Sequence, residues 1–236
     1  MFIIASGGRC GTHAICHGLN QFSNHVVRHE PEPRLLREAY LKHQRQPHDT
    51  AVLQARLRFF EEQAQQSYGE SVRAPNLLPE IQTVAPQTRF LIIVRNPLEY
   101  VLSAHSKRVF SKGDMWDETR IIPLDLRSRF ADLPISQKIA WHWVAVNRYL
   151  LDFAESASAS TKVVVLRNLE VDLPQWAVFL GVAIRESEGL AKFLKGRPNA
   201  ATRSDLPHGY DENRLTEICS TEWSRAQALS QYPEHG

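Results

Sequence analysis

The chain has 236 residues, 43% hydrophobic and 23% charged, ordinary globular proportions that exclude a disordered chain. Twenty-eight basic residues face 26 acidic ones, and a formal charge of +2 gives no global basic field of the kind that suggests nucleic acid. Cys10, Cys16 and Cys219 make no CxxC pair, which excludes a disulfide framework and a cysteine-rich zinc centre.

The length fits one domain over residues 1–236. Its first residues, MFIIASGGRCGTH, carry no basic leader, and the apolar run stops at glycines. No stretch is long enough to span a membrane, so the expected location is the cytoplasm. Phe2 to Ala5 predicts a short strand, Ser6 to Gly11 a glycine-rich turn, and Ile15, Leu19 and Phe22 the face of a helix. Val27-Arg28-His29-Glu30-Pro31-Glu32-Pro33 follows that helix and an expected second short strand. Within residues 34–68, Val52, Leu53, Leu57, Phe60 and Ala64 fit one helix face.

The continuous apolar run RFLIIV, residues 89–94, predicts a fully buried strand. Asn96-Pro97-Leu98-Glu99 then predicts a helix start, with Asn as N-cap, Pro at N1 and Glu at N3, running to about Phe110. Residues 111–134 read as an irregular insert. Ile135 to Phe153 predicts a helix with Ile139, Trp143, Val146 and Leu150 on one side, and Trp141 and Trp143 in the core. After a loop at 155–160, KVVVL (162–166) predicts another buried strand, and Leu173 to Leu180 a helix ended by Gly181. The tail from about residue 195 reads as polar. Alternating strands and helices predict an α/β fold, three-layered, with a central parallel sheet covered on both faces. Ligands of such sheets bind beyond the carboxyl ends of the strands. The turns after Ala5 and after Val94 are therefore the places for chemistry.

Ser6-Gly7-Gly8-Arg9-Cys10-Gly11-Thr12-His13 has the makings of an anion cradle. Glycines let backbone N–H groups approach an oxyanion, and the helix start adds donors and partial positive charge. Arg9 supplies a fixed charge and Thr12 a hydroxyl. The Walker A pattern fails, because Thr12 and His13 stand where it needs Lys and Ser or Thr, and the two later strands end in Arg95 and Arg167 rather than a magnesium-binding Asp. A GxGxxG fingerprint is absent. Cys10 lacks the following arginine of a cysteine phosphatase and reads as a loop donor or small filler. His13 and His17 could share a helix face but have no third metal ligand.

At this point the sequence resembles the sulfotransferases that use 3′-phosphoadenosine 5′-phosphosulfate (PAPS). Gly8-Arg9-Cys10-Gly11-Thr12-His13 is similar to their 5′-phosphosulfate loop, with matches at Arg9, Gly11 and Thr12 and departures at Gly8, Cys10 and His13. The run from Phe90 through Arg95, Asn96 and Pro97 to Ser103 is similar to their 3′-phosphate motif, with Ser103 eight residues after Arg95. Arg95 at the strand end and Ser103 two turns into the helix could grip one phosphate together. Leu166 to Glu170 and Phe179-Leu180-Gly181-Val182 resemble a structural stretch of the family, and Lys195-Gly196-Arg197-Pro198 its late nucleotide-covering loop.

The resemblance implies a P-loop-NTPase-like sulfotransferase fold. It implies transfer of a sulfuryl group from PAPS to the hydroxyl or amine of a small-molecule or glycan acceptor, without a metal, leaving adenosine 3′,5′-bisphosphate (3′,5′-ADP). Gly8, Arg9, Cys10, Gly11, Thr12, His13, Arg95, Ser103, Lys195, Gly196 and Arg197 are then the expected nucleotide contacts. Arg9 is expected to stabilise charge on the bridging oxygen. Glu30 is the first choice for the base that takes the acceptor proton and His29 the second, with an unperturbed pKa near about 6.5. His105 is a minor candidate. Two other functions stay open: a nucleotide-dependent small-molecule kinase, and a nucleotide-binding protein without catalysis.

Overall fold

The computed structural model describes residues 1–29, 33–73, 77–111, 119–195, 206–207 and 209–231. Among the described residues five strands make one sheet: β1 (Phe2–Ser6), β2 (Val26–His29), β3 (Tyr68–Arg73), β4 (Arg89–Arg95) and β5 (Thr161–Leu166). Every pairing is parallel, in the order β2-β3-β1-β4-β5. The expected three-layer α/β fold is what the chain forms.

The apolar runs of β1 and β4 are continuous because both faces of the sheet are covered. Phe2 and Ile4 of β1, with Leu91 and Ile93 of β4, face one core, shared with α1 (Thr12–Phe22), α7 (Leu169–Leu180) and α8 (Ser187–Lys195). Ile3 and Ala5, with Phe90, Ile92 and Val94, face the other. That second core is closed by α3 (Thr50–Gln63), α4 (Leu78–Val84), α5 (Pro97–His105), α6 (Ile135–Ser156) and α9 (Glu212–Ser230), with Leu35 of α2 (Pro33–His43) joining it. Ile139, Trp143, Val146 and Leu150 of α6 are buried as their spacing predicts, whereas Trp141 is half-buried at the edge.

Several boundaries differ from the sequence reading. The helix after Asn96 ends at His105, not near Phe110. Arg108 and Phe110 take left-handed backbone angles (φ 57° and 59°), which no α-helix accommodates. Ala64 caps α3 rather than lining its buried face, which carries Leu53, Arg56 and Phe60. The last predicted helix starts earlier, at Leu169, capped by the Asn168 side chain, and Gly181 ends it at φ 71°.

The helices α2, α4 and α8 and two further elements were not expected. β3, with the sequence YGESVR, lies between β1 and β2, its polar residues concealing a strand. The tail is not wholly polar, since α9 buries Leu215, Ile218, Cys219 and Ala226 against α6 and β5. Among the described residues, no helix is long and apolar enough to cross a membrane.

Candidate nucleotide site

β1 lies between β3 and β4, and the helices that follow the neighbouring strands β1 and β4, α1 and α5, pack on opposite faces of the sheet, so a crevice opens beyond the carboxyl ends of these strands. The turn from Ser6 to Thr12 fills that place. Gly8, Arg9 and Gly11 take left-handed angles (φ 81°, 56° and 72°). Glycine adopts these freely, but Arg9 does so at a cost of about 1–2 kcal/mol, a strain concentrated where the sequence predicted chemistry. Gly11 is the N-cap of α1 and offers no side chain to its first N–H groups, and no acidic residue occupies that first turn. The helix start is therefore open to an anion.

The turn is tied to the neighbouring strand and helices. The Tyr100 hydroxyl donates to the Gly7 carbonyl at 3.0 Å, and the Gly8 N–H to Ser6 Oγ at 3.1 Å. Arg95 Nη1 donates to the Arg9 carbonyl at 2.8 Å, and the Arg95 carbonyl accepts from the Trp143 indole at 3.0 Å. Arg95 Nε faces Glu99 at 3.3 Å. So Asn96 caps α5 as predicted, through Leu98 N and Glu99 N, while the Glu99 carboxylate pairs with Arg95. Burial pushes Tyr100 up to about 12, so it remains a neutral donor.

The structure brings the two predicted motifs into contact. Arg9 Nε donates to Ser103 Oγ at 3.3 Å across 94 residues of sequence. Ser103 is 5% exposed, on the inner side of α5. Thr12 Oγ1 lies 3.0 Å from His29 Nε2, which places the end of β2 against the start of α1. The His13 ring stands 5.4 Å from that of His29 and 4.4 Å from that of His17. Among the described residues, no group of three metal-ligating side chains could hold a metal ion.

Cys10 is buried, and its thiol donates to the Gly8 carbonyl at 3.1 Å. Burial pushes this thiol up to about 11, with Arg95 only partly opposing it. That fits a structural filler rather than a nucleophile. All three cysteines are buried thiols outside any disulfide. At pH 8 the native protein should therefore react with a thiol reagent at a small fraction of the rate seen in denaturant, where three thiols titrate. Rapid labelling of one thiol in the native state would contradict the burial.

His105 is half-buried at the end of α5 and contributes its carbonyl to the Arg108 N–H. Lys195 is the exposed last residue of α8. Glu30, Gly196 and Arg197 lie outside the described residues. Sequence reasoning missed Arg73 and Arg120. Arg73 ends β3, and a Cβ built on Gly8 would stand 3.3 Å from its Cδ. Arg120 is 8% exposed, with its guanidinium 5.5 Å from the Phe110 ring centre. No sequence signal marked either, because the strand and the insert that carry them were not resolved into elements.

Comparison with solved structures decides the fold. A sulfotransferase from Alicyclobacillus acidocaldarius superposes with a TM-score of 0.56 at 17% identity, covering 98% of this chain and 96% of that one. The chain has the sulfotransferase fold. The sulfotransferase domain from the curacin biosynthetic pathway matches with a TM-score of 0.55 at 13% identity, over 99% of this chain and 98% of that one. Mouse sulfotransferase SULT7A1, complexed with PAP, matches with a TM-score of 0.50 at 15% identity, over 98% and 88%. No protein-family model matches the chain, and no curated protein matches it in sequence. On the sulfotransferase fold of this chain, the glycine turn and Arg95 stand at the carboxyl ends of adjacent strands.

Proposed function

We propose that the protein transfers a sulfuryl group from PAPS to an acceptor hydroxyl or amine. The observation that carries this reading is the meeting of Arg9, Arg95 and Ser103 at one crevice. A donor with a 3′-phosphate and a 5′-phosphosulfate on one ribose needs two anion sites a few ångströms apart. Here one is built on the turn after β1 and the other on β4 and α5. The residues fit such a group: the Gly8 and Gly11 backbone leaves room for it, the start of α1 is uncapped, and both arginines are set by hydrogen bonds. When bound, PAPS supplies the sulfuryl group and an adenosine bisphosphate leaving group. The PAP held by the mouse neighbour agrees with this choice.

In this reading Gly8, Cys10, Gly11, Thr12 and His13 present the turn and its N–H groups to the 5′ end. Arg95 and Ser103 take the 3′-phosphate. Arg9, whose guanidinium reaches from the turn to Ser103, stabilises negative charge on the leaving oxygen. Lys195, Gly196 and Arg197 cover the nucleotide. His29, held at Thr12, or Glu30 beside it in sequence accepts the acceptor proton. Fixed donors suffice for this chemistry, so a magnesium-dependent kinase is the weaker reading.

Thermal shift and calorimetry with 3′,5′-ADP, ATP and 5′-AMP test it. The bisphosphate should stabilise the protein most, by the linkage between ligand occupancy and folding. Equal stabilisation by ATP, with turnover dependent on Mg²⁺, would overturn the proposal. For the base, Glu30→Gln should abolish transfer with 3′,5′-ADP binding intact. Retained turnover in Glu30→Gln, with loss in His29→Asn, assigns the proton to His29.

A further inference from the structure

Helix α1 is stitched along the edge strand β2 by residues four apart on one helix face. The Asn20 side chain accepts from the Val27 N–H at 2.9 Å and donates to the Val27 carbonyl. The Cys16 thiol donates to the Arg28 carbonyl at 3.6 Å, and Thr12 Oγ1 lies 3.0 Å from His29 Nε2. Three successive residues of β2 are thus held by one face of α1, and the last of these contacts sets an imidazole on the first residue of the helix. Thr12 is buried where the helix start meets the glycine turn. It therefore touches the candidate base and borders the place proposed for the 5′ end of the donor.

A hydroxyl has one hydrogen to give and can also accept. Toward His29, the Thr12 hydroxyl donates when Nε2 is bare and accepts when Nε2 carries a proton. An ionised phosphate or sulfuryl oxygen on the turn only accepts, so it requires that one hydrogen. With the turn empty, either arrangement satisfies Thr12. With an oxyanion bound, only one does: Thr12 gives its hydrogen to the anion, and the Nε2–H donates to Thr12 Oγ1.

We propose that Thr12 is a positioning residue that passes occupancy of the anion turn to His29 and fixes the ring proton on Nε2. This rests on the donor reading and deepens it. A neutral ring so fixed accepts a proton only at Nδ1, and the negative charge of the bound anion makes the ring more basic. The proton count of the neutral ring does not change, because the hydrogen moves between its two nitrogens through solvent.

Other titratable and charged groups face this ring. His13 stands 5.4 Å from it, and His17 a further 4.4 Å along α1. On β3, Ser71 is its register partner, and Arg73 follows two residues later on the same face. Arg28 and Glu70 point to the opposite face, Arg28 toward the Phe59 ring and Glu70 to Arg56. A bulk pH profile would mix these groups, so the test reads His29 alone.

That test is nitrogen-15 NMR of the His29 ring, in free protein and in protein saturated with 3′,5′-ADP. At pH 8 the bound wild type should show Nε2 protonated and Nδ1 bare. Its affinity for a further proton should rise at least about three-fold on binding, as an anion nearby favours the imidazolium. Thr12→Val keeps the side-chain shape without the hydroxyl, and there the saturating nucleotide should leave the proton distribution between Nδ1 and Nε2 as in the free protein. Thr12→Ser, which restores the hydroxyl, should respond as wild type does. A bound wild type with bare Nε2, or the same redistribution in Thr12→Val, overturns the proposal. Absence of 3′,5′-ADP binding would instead sink the donor reading. The same spectra in saturating inorganic sulfate would then read the link: Nε2 protonated in wild type but not in Thr12→Val supports it, and an unchanged His29 overturns it.

Discussion

Arg95→Ala is expected to lower 3′,5′-ADP affinity at least about a hundred-fold, the equivalent of roughly 3 kcal/mol. The side chain is 11% exposed and has two jobs. One, in the proposed function, is to meet the 3′-phosphate from the end of β4. The other is already visible, since Nη1 holds the Arg9 carbonyl at 2.8 Å and so fixes the left-handed residue of the turn. Loss of the guanidinium removes a charge from one anion site and a brace from the other. Arg95→Lys keeps the charge but lacks the planar fork, and should fall between the two. Ser103→Ala removes one hydroxyl bond, worth about 1 kcal/mol, and should cost less than about ten-fold. A folded Arg95→Ala protein that binds the bisphosphate as wild type does would refute this placement of the nucleotide.

Glu70→Ala is expected to destabilise the fold by about 3–5 kcal/mol, independently of any ligand. Glu70 is fully buried on β3 and pairs with Arg56 of α3, which is 6% exposed, and its carboxylate also accepts a hydrogen bond from the Tyr68 hydroxyl. The Arg56 guanidinium lies 4.3 Å from the Phe60 ring centre and 5.0 Å from that of Phe59. Burial pushes the Glu70 carboxyl above its ordinary range, while Arg56 and the hydrogen bonds pull it down. Removing the carboxylate strands a guanidinium among apolar groups. For a chain of this length the loss corresponds to a fall in Tm of about 6–20 °C. Replacing both partners, as Glu70→Leu with Arg56→Met, should recover much of it, because the double change buries no charge. A Tm drop of under about 2 °C for Glu70→Ala would show that water reaches the pair.

The elements that could be read in advance share one property: their signal is local. The runs at 2–5, 90–94 and 162–166 are apolar without interruption because a sheet covered on both faces leaves those strands no wet side. The start at Asn96-Pro97 is equally local, since a cap and a fixed φ act within one turn of chain. The glycine turn could be read because Gly8 and Gly11 occupy left-handed positions that most residues avoid. β3 escaped because its Glu70 is neutralised by a residue fourteen positions away in sequence, and no window of β3 contains that partner. α9 escaped for a related reason. Its apolar residues at 215, 218, 219 and 226 keep helical spacing, but polar neighbours dilute them, and their burial depends on α6 and β5.

The candidate site divides the same way. Residue types and spacing supplied Arg9, Thr12 and the α/β class, because a glycine turn at a helix start and uninterrupted apolar runs are local signals, and the resemblance to sulfotransferases added Arg95 and Ser103. Folding in three dimensions decided the rest: that Arg9 reaches Ser103, that His29 rests on Thr12, and that the Arg73 stem stands beside Gly8. Those contacts arise from the parallel order β2-β3-β1-β4-β5, which sets side by side strand ends that the chain visits at different times. Strand order is a global balance of core burial and crossover geometry, and no short stretch of amino acids encodes it.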